Sequence, residues 1–156
     1  MTWVLLILAV AAIGVGGFLL LNQKVLVLQL ENTDRARALR LRVNPGEHFS
    51  IYYIHSVYKE PVIEEFEAGA NTIVLKGMRT KSGAITEQYG LDDSKTFHAM
   101  DEKLGAIFLR VAPGEGQGII LRERKIYLGE IGERGDRIQL SVRSVSRVSY
   151  LLTLLF

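Results

Sequence analysis

Hydrophobic residues fill the first part of the chain without interruption and alternate with polar residues afterwards. Residues 3–21 contain no charged side chain. As a helix, this run would be about 28 Å long at roughly 1.5 Å per residue, close to the thickness of a bilayer core. Trp3 near one end and Lys24 just beyond the other suit the two membrane interfaces. We therefore predict that residues 1–23 form one N-terminal transmembrane helix, which anchors the remaining chain.

A cleaved signal peptide is the alternative interpretation of this segment. The chain begins without basic residues, and the triplet Ala9-Val10-Ala11 lies too early for a cleavage site at the end of the apolar run. These features favour a retained signal anchor. Lys24 and Arg35 follow the anchor, so the positive-inside rule alone would place the rest of the chain in the cytoplasm.

Beyond Lys24 the hydrophobic period becomes two, which is typical of β-strands. Pro61 can begin one of these strands, because a missing N–H is tolerated at a strand's first position. The pattern weakens over residues 81–103, where we predict a long loop with some local structure. The closing apolar run is too short to span a bilayer, and we interpret it as a core strand. The predicted strands cover residues 25–31, 38–43, 49–57, 62–68, 72–78, 106–111, 118–122, 125–128, 137–142 and 148–156.

This spacing predicts one all-β domain over residues 24–156. About ten short strands separated by frequent turns are typical of a sandwich or a partly open barrel. The formal net charge of +2 is too small to indicate a nucleic-acid partner. Because the chain has no cysteine, disulfides, thiolate catalysis and cysteine-ligated zinc are excluded. We predict no cofactor, since the glycine-rich residues 113–118 lack the Lys-Ser/Thr ending of a phosphate loop.

The candidate functional motif is carried by His55, Ser56, Pro61, Glu64 and Glu65, where one strand ends and the next begins. Glu64 shares a strand face with Val62 and Phe66, so it should point inward and need a polar partner. If paired residues have numbers that sum to 119, His55 stands directly opposite Glu64. The alternative is a buried polar clasp that joins two strands and has no chemical role.

Catalysis and metal binding are weaker interpretations of the same motif. Neighbouring residues on a strand point to opposite faces, so His55 is poorly placed to activate Ser56 as a nucleophile. A metal site could recruit His55, a glutamate and either His48 or His98, but the chain has no HxH or HExxH spacing. We therefore predict no catalytic residue and no metal site.

The stretch from His55-Ser56 through Pro61 to Glu64, with Tyr89-Gly90 downstream, resembles the bacterial domain-of-unknown-function family 1850. That resemblance implies an accessory protein of tripartite ATP-independent periplasmic (TRAP) transporters, especially those with an immunogenic-protein type of solute receptor. It also implies an extracytoplasmic β domain, against the charge rule, and we favour this placement because a single lysine orients an anchor weakly.

Together these observations predict a membrane-anchored accessory or binding protein whose partner is the membrane subunit or the solute receptor of such a transporter. The alternative is a metal- or small-molecule-binding domain centred on His55 and Glu64 or Glu65, and hydrolase activity is a more distant one.

Overall fold

A computed structural model of the chain describes residue 3 and residues 13–18, 20–92, 94–114 and 116–154. Strands dominate this part of the chain. Between residues 24 and 154 they are accompanied by two short helices, α1 (Gly83–Gln88) and α2 (Arg147–Leu152), and by a 3₁₀ turn at Leu128–Glu130. The ten strands described are β1 (Lys24–Asn32), β2 (Arg37–Val43), β3 (His48–Ile54), β4 (Pro61–Ala68), β5 (Ile73–Thr80), β6 (Phe97–Leu104), β7 (Ile107–Arg110), β8 (Gly118–Leu121), β9 (Arg124–Tyr127) and β10 (Arg137–Ser146).

The strands form two antiparallel sheets, which confirms the all-β prediction. One is four-stranded, in the order β2-β1-β10-β7, and the other is six-stranded, in the order β6-β5-β4-β3-β8-β9. Leu28 and Leu140 from the four-stranded sheet share one buried cluster with Phe66 and Ile119 from the six-stranded sheet. Burying each such side chain contributes about 1.5–3 kcal/mol. The architecture is therefore a sandwich with its core between the two sheets.

Alternation along β4 shows how the sequence selects these faces. Val62 and Phe66 are buried, and Glu64 lies between them on the same inner side of the strand. Phe66 stands directly opposite Phe49 of β3, and the two rings stack with their centroids 5.4 Å apart. Aromatic cross-strand pairs of this kind stabilise a sheet beyond simple burial. Pro61 is the first residue of β4, as predicted.

The prediction of a loop over residues 81–103 is wrong, because this segment contains α1 and most of β6. β6 is an outermost strand of the six-stranded sheet and pairs only with β5 among the described strands. His98 is the one residue of β6 that is buried. An edge strand with little core contact does not need to alternate apolar and polar residues. The sequence of β6 therefore lacks the pattern that predicts a strand.

The prediction of a core strand over residues 148–156 is also wrong. Residues 147–152 form α2, and none of them is buried. The Ser146 hydroxyl oxygen accepts a hydrogen bond from the Ser149 N–H at 3.2 Å, which caps the first turn of the helix. This local cap, rather than the apolar composition, determines the structure. β10 continues to Ser146, beyond the predicted end at residue 142.

Most of the predicted membrane anchor, residues 1–2, 4–12 and 19, lies outside the described residues. Residues 13–18 and 20–22 are helical. Within the part of the chain that the structure describes, no helix has the length and apolar character needed to cross a membrane. The transmembrane helix over residues 1–23 stays a prediction.

Candidate functional site

The hairpin formed by β3 and β4 carries the candidate motif, but in a different register from the predicted one. Ile51 is opposite Glu64, and Ile54 is opposite Pro61, so the paired residue numbers sum to 115. The predicted opposition of His55 and Glu64 is therefore wrong. His55 lies beyond the last pair of the ladder, and its N–H donates to the Glu60 carbonyl at 2.8 Å.

The loop between the two strands explains the altered register. β3 ends at Ile54, earlier than predicted, so the connection spans residues 55–60. Lys59 adopts a left-handed backbone conformation with φ 58°, and its N–H donates to the His55 carbonyl at 2.9 Å. Turn geometry fixes the register of a hairpin. Residues 55–60 contain no glycine, so the sequence gives no signal for this turn.

Glu64 lies on the inner face of β4, where alternation predicts it, and its partner is Tyr53 of β3. The Tyr53 hydroxyl donates a hydrogen bond to Glu64 Oε1 at 2.9 Å. Tyr53 pairs with Val62, so Glu64 is its diagonal neighbour on the same face. Burial raises the pKa of Glu64, and the hydrogen bond from Tyr53 opposes this by favouring the ionised form.

Tyr53 is held firmly in its protonated form. Burial raises the pKa of Tyr53 far above its usual value, and the negative charge of Glu64 and the hydrogen bond to it act in the same direction. Tyr89, at the end of α1, adds a further contribution of the same sign. The Tyr53 hydroxyl therefore remains a hydrogen-bond donor at every physiological pH.

Tyr53 and Glu64 form part of the wall of an open cleft of about 580 Å³. Pockets of this size accommodate small ligands or the side chains of a bound peptide. The walls come from the end of β3, the inner face of β4, the end of α1, β7 and the loop after β7. The lining residues are Tyr53, Ile54, His55, Ser56, Glu64, Tyr89, Ile107, Phe108, Leu109, Arg110, Ala112, Pro113, Gly116 and Gln117.

His55 and Ser56 both reach this cleft, but they are not arranged as a catalytic pair. His55 Nδ1 accepts weak hydrogen bonds from the N–H groups of Val57 and Tyr58, each at 3.4 Å, and its ring stacks on Tyr58 with centroids 5.1 Å apart. The His55 side chain therefore stabilises the loop of residues 55–60. Within the described residues, the Ser56 hydroxyl has no base hydrogen-bonded to it, so the geometry offers no activated nucleophile.

Glu65 and Pro61 lie outside the cleft. Glu65 is on the outer face of the six-stranded sheet and forms an ion pair with Arg79 of β5. The Arg79 guanidinium also lies over the Phe97 ring, 4.7 Å from its centroid. Such partly solvated ion pairs contribute little to stability, typically about 0–1 kcal/mol. Of the five predicted residues, the structure therefore brings His55, Ser56 and Glu64 together and separates the other two.

The histidines considered for a metal site lie on separate strands. His48 begins β3 and His98 lies in β6. His98 Nε2 is buried and has no hydrogen-bond partner among the residues that the structure describes. Met78 separates His98 from Glu64 in the row of paired residues across β4, β5 and β6. Among the residues that the structure describes, no group of three metal-ligating side chains could hold an ion.

A family model described as Domain of unknown function (DUF1850) matches residues 49–128. The chain belongs to this family. The matched region contains all fourteen residues that line the cleft and, apart from His48, the whole six-stranded sheet. No curated protein and no solved structure matches the chain.

Within the DUF1850 region, β7 contributes an open strand edge to the cleft. β7 is one of the two outermost strands of the four-stranded sheet and pairs only with β10 among the described strands. The Val111 N–H donates to the Asp136 backbone carbonyl, on the β10 side, at 2.9 Å. Because successive N–H groups of a strand point to opposite edges, those of Phe108 and Arg110 point to the open edge. The Phe108 side chain is 59% exposed.

The sequence alone does not single out Tyr53, Phe108 or Arg110. A signal for Tyr53 does exist, since it has the same inward parity as Phe49 and Ile51 and therefore needs a polar partner inside the sheet. The β7 residues carry no such signal. Their place beside Tyr53 depends on the pairing of β7 with β10, which local periodicity does not specify.

Proposed function

We propose that the chain is a membrane-anchored binding protein whose cleft receives an extended segment of a partner protein. The open edge of β7 carries this proposal. It provides backbone groups that no other described strand pairs with, along one side of a cleft whose other side contains the half-buried Glu64 and the Tyr53 hydroxyl. Addition of a partner strand to an exposed sheet edge is a common mode of peptide recognition.

The edge and the cleft would supply affinity and specificity separately. The N–H and carbonyl groups of Phe108 and Arg110 can pair with a partner backbone, and each hydrogen bond contributes about 0.5–1.5 kcal/mol net. Phe108 adds an exposed aromatic surface, and Arg110 adds a cation beside the cleft. A segment that combines an apolar side chain with an acidic one therefore fits this site best.

The proposed partner is the membrane subunit or the solute receptor of a TRAP-type transporter. The resemblance of the His55-to-Glu64 stretch to proteins associated with such transporters supports this choice. In the same proposal, residues 1–23 anchor the chain as a single-pass helix and the β domain lies on the extracytoplasmic side. The apolar run of residues 3–21 supports the anchor.

Photo-crosslinking tests this function directly. A benzoylphenylalanine at position 108, in the full chain expressed in membranes that contain the transporter, should crosslink to the transporter subunit or its receptor. Glu102 provides the matched control, since it is exposed on β6, another outermost strand away from the cleft. Phe108→Pro in a chain with the crosslinker at position 110 should reduce crosslinking, because an N–H facing the open edge is lost while the pairing with β10 keeps its donors. Equal crosslinking from positions 102 and 108 would contradict the proposal.

Small-molecule binding in the same cleft is the second candidate function. The volume of about 580 Å³ and the convergence of Tyr53, Glu64 and Arg110 on it favour this possibility. Native mass spectrometry of the full chain, released from membranes without denaturation, would reveal a retained ligand. Loss of that ligand in Glu64→Ala, with no crosslinked protein from position 108, would favour this function over partner binding.

A further inference from the structure

The helix α2 exposes large apolar side chains at one end of the sandwich. Leu151 and Leu152 are 44% and 50% exposed, and Leu154 just after the helix is 61% exposed. None of the α2 residues is buried. Several large apolar side chains exposed within one short segment are typical of an interaction site.

This end of the sandwich is also the point at which the N-terminal apolar segment leaves the domain. Lys24 of β1 pairs with Ser146 of β10, and the Arg147 N–H donates to the Gln23 carbonyl at 2.8 Å. The helical residues just before Gln23 include Phe18 and Leu21, which are exposed as well. Two apolar segments therefore adjoin the same end of the four-stranded sheet, where its two central strands β1 and β10 meet.

Positive charge surrounds this junction. Lys24, Arg42 and Arg147 line a shallow hollow there, and none of the residues described around that hollow is acidic. Glu47, in the turn between β2 and β3, forms an ion pair with Arg122. An apolar helix bordered by uncompensated cations is complementary to a lipid surface with anionic headgroups.

We infer that α2 lies in the interface of an anionic bilayer and holds this end of the sandwich on the membrane. Lipid, rather than a protein, is the occupant because the surface is continuous with the apolar segment proposed as the anchor, so the inference rests on that part of the proposed function. Residues 147–154 supply the apolar contact, and Lys24, Arg42 and Arg147 contact the headgroups.

This arrangement places the cleft on the far side of the domain. Val43 pairs with Leu26 near the membrane end, and the chain then turns into β3 at His48. β3 runs away from that end and reaches the cleft at Tyr53 and Ile54. A strand of 7 residues covers roughly 20 Å at about 3.3 Å per residue. The cleft therefore lies at the opposite end of the sandwich from the proposed lipid contact.

Site-directed fluorescence tests the inference in the full chain, and the absence of native cysteine makes labelling specific. Leu151→Cys labelled with bimane is reconstituted in vesicles of phosphatidylcholine and phosphatidylglycerol that contain a headgroup nitroxide lipid. Val57→Cys is the matched control, since Val57 is exposed in the loop at the cleft end. We expect the nitroxide lipid to quench the label at position 151 and aqueous iodide to quench the label at position 57. The pair R42E and R147E should abolish the lipid quenching at position 151.

Three results would overturn the inference, and flotation separates its failure from that of the anchor. If the protein floats with the vesicles but iodide quenches positions 151 and 57 equally, the anchor stands and α2 does not contact lipid. A second copy covers α2 if the label at position 151 is protected from iodide, is not quenched by the nitroxide lipid, and shows energy transfer between labelled copies. If the protein does not float with the vesicles, both the inference and the proposed anchoring fail.

Discussion

Removing the Tyr53 hydroxyl, by Tyr53→Phe, isolates the hydrogen bond at the base of the cleft. Tyr53 donates to Glu64 Oε1 at 2.9 Å, and the phenylalanine ring retains the packing of the tyrosine ring. A hydrogen bond to an ionised group contributes about 1.5–3 kcal/mol. Because both side chains are only partly buried, we expect a loss near the lower end, about 1.5 kcal/mol in the free energy of unfolding at neutral pH.

The cost of Tyr53→Phe should fall as the pH is lowered. Protonation of Glu64 replaces a charge-assisted hydrogen bond with a neutral one, which contributes only about 0.5–1.5 kcal/mol. The lost bond also favoured the ionised carboxylate, so the substitution should raise the already raised pKa of Glu64 further. The difference between wild type and variant should therefore shrink on titration from neutral pH through the pKa of Glu64.

Urea unfolding of the full chain in detergent, followed by far-UV circular dichroism at several pH values, measures this difference. Tyr58→Phe is the matched control, because Tyr58 is partly exposed in the loop after β3 and should change stability by less than about 0.5 kcal/mol. In a Glu64→Gln background, the effect of Tyr53→Phe should lose its pH dependence. A cost that is the same at pH 4 and pH 7 in the wild-type background would refute the assignment of Glu64 as the titrating partner.

Three further substitutions test the surrounding structure. Glu64→Gln should raise the free energy of unfolding at neutral pH. A group whose folded pKa is raised stabilises the fold below its unfolded pKa and loses that contribution as the pH rises through the folded pKa. In urea unfolding, the stabilities of wild type and Glu64→Gln should therefore converge below about pH 4.5, the ordinary pKa of glutamate. Gly118→Ala should lower the melting temperature in thermal circular dichroism, since an added Cβ would clash with the Ile126 carbonyl oxygen, an overpacking that costs about 1–3 kcal/mol. Hydrogen bonds from Asn32, Glu133 and Arg35 lower the pKa of Asp136, so Asp136→Asn should reduce stability at neutral pH. The deficit should shrink as the pH falls below the ordinary aspartate pKa, and it should disappear only below the lowered pKa of folded Asp136. A deficit that persists at still lower pH would instead indicate lost packing.

Periodicity predicted the sheets of this protein well wherever strands have one buried face. β1 to β5 begin and end within a few residues of the predicted bounds, because Val62 and Phe66, for example, must alternate with solvated neighbours. β6 escaped prediction because an outermost strand with one buried residue has no such constraint. α2 was not predicted because its apolar composition suits a strand as well as a helix, and the Ser146 hydroxyl caps the segment as a helix.

The candidate site divides in the same physical way. The inward position of Glu64 was predicted from alternation within its own strand. Tyr53 was not singled out, although the same alternation in the neighbouring strand places it inward. The register of the β3–β4 hairpin could not be predicted in this way, because Lys59 closes the loop in a left-handed conformation that lysine rarely adopts. Phe108 and Arg110 depend on a pairing between β7 and β10 that spans the family region and its flank. Contacts of this sequence separation carry no local signal.

The energetics of Glu64 bear on whether the Tyr53–Glu64 pair is only a structural clasp. A clasp selected for stability would hold an ionised carboxylate with a lowered pKa, as Asp136 does with its three donors. Burial instead raises the pKa of Glu64, so its ionised form costs stability at neutral pH. A residue that weakens the fold while lining a cleft fits a binding role, since function commonly retains groups that stability alone would remove. If Glu64→Gln both stabilises the chain and reduces crosslinking from position 108, binding explains why a residue that lowers stability is retained. If Glu64→Gln stabilises the chain and leaves crosslinking unchanged, Glu64 has no role in binding the partner.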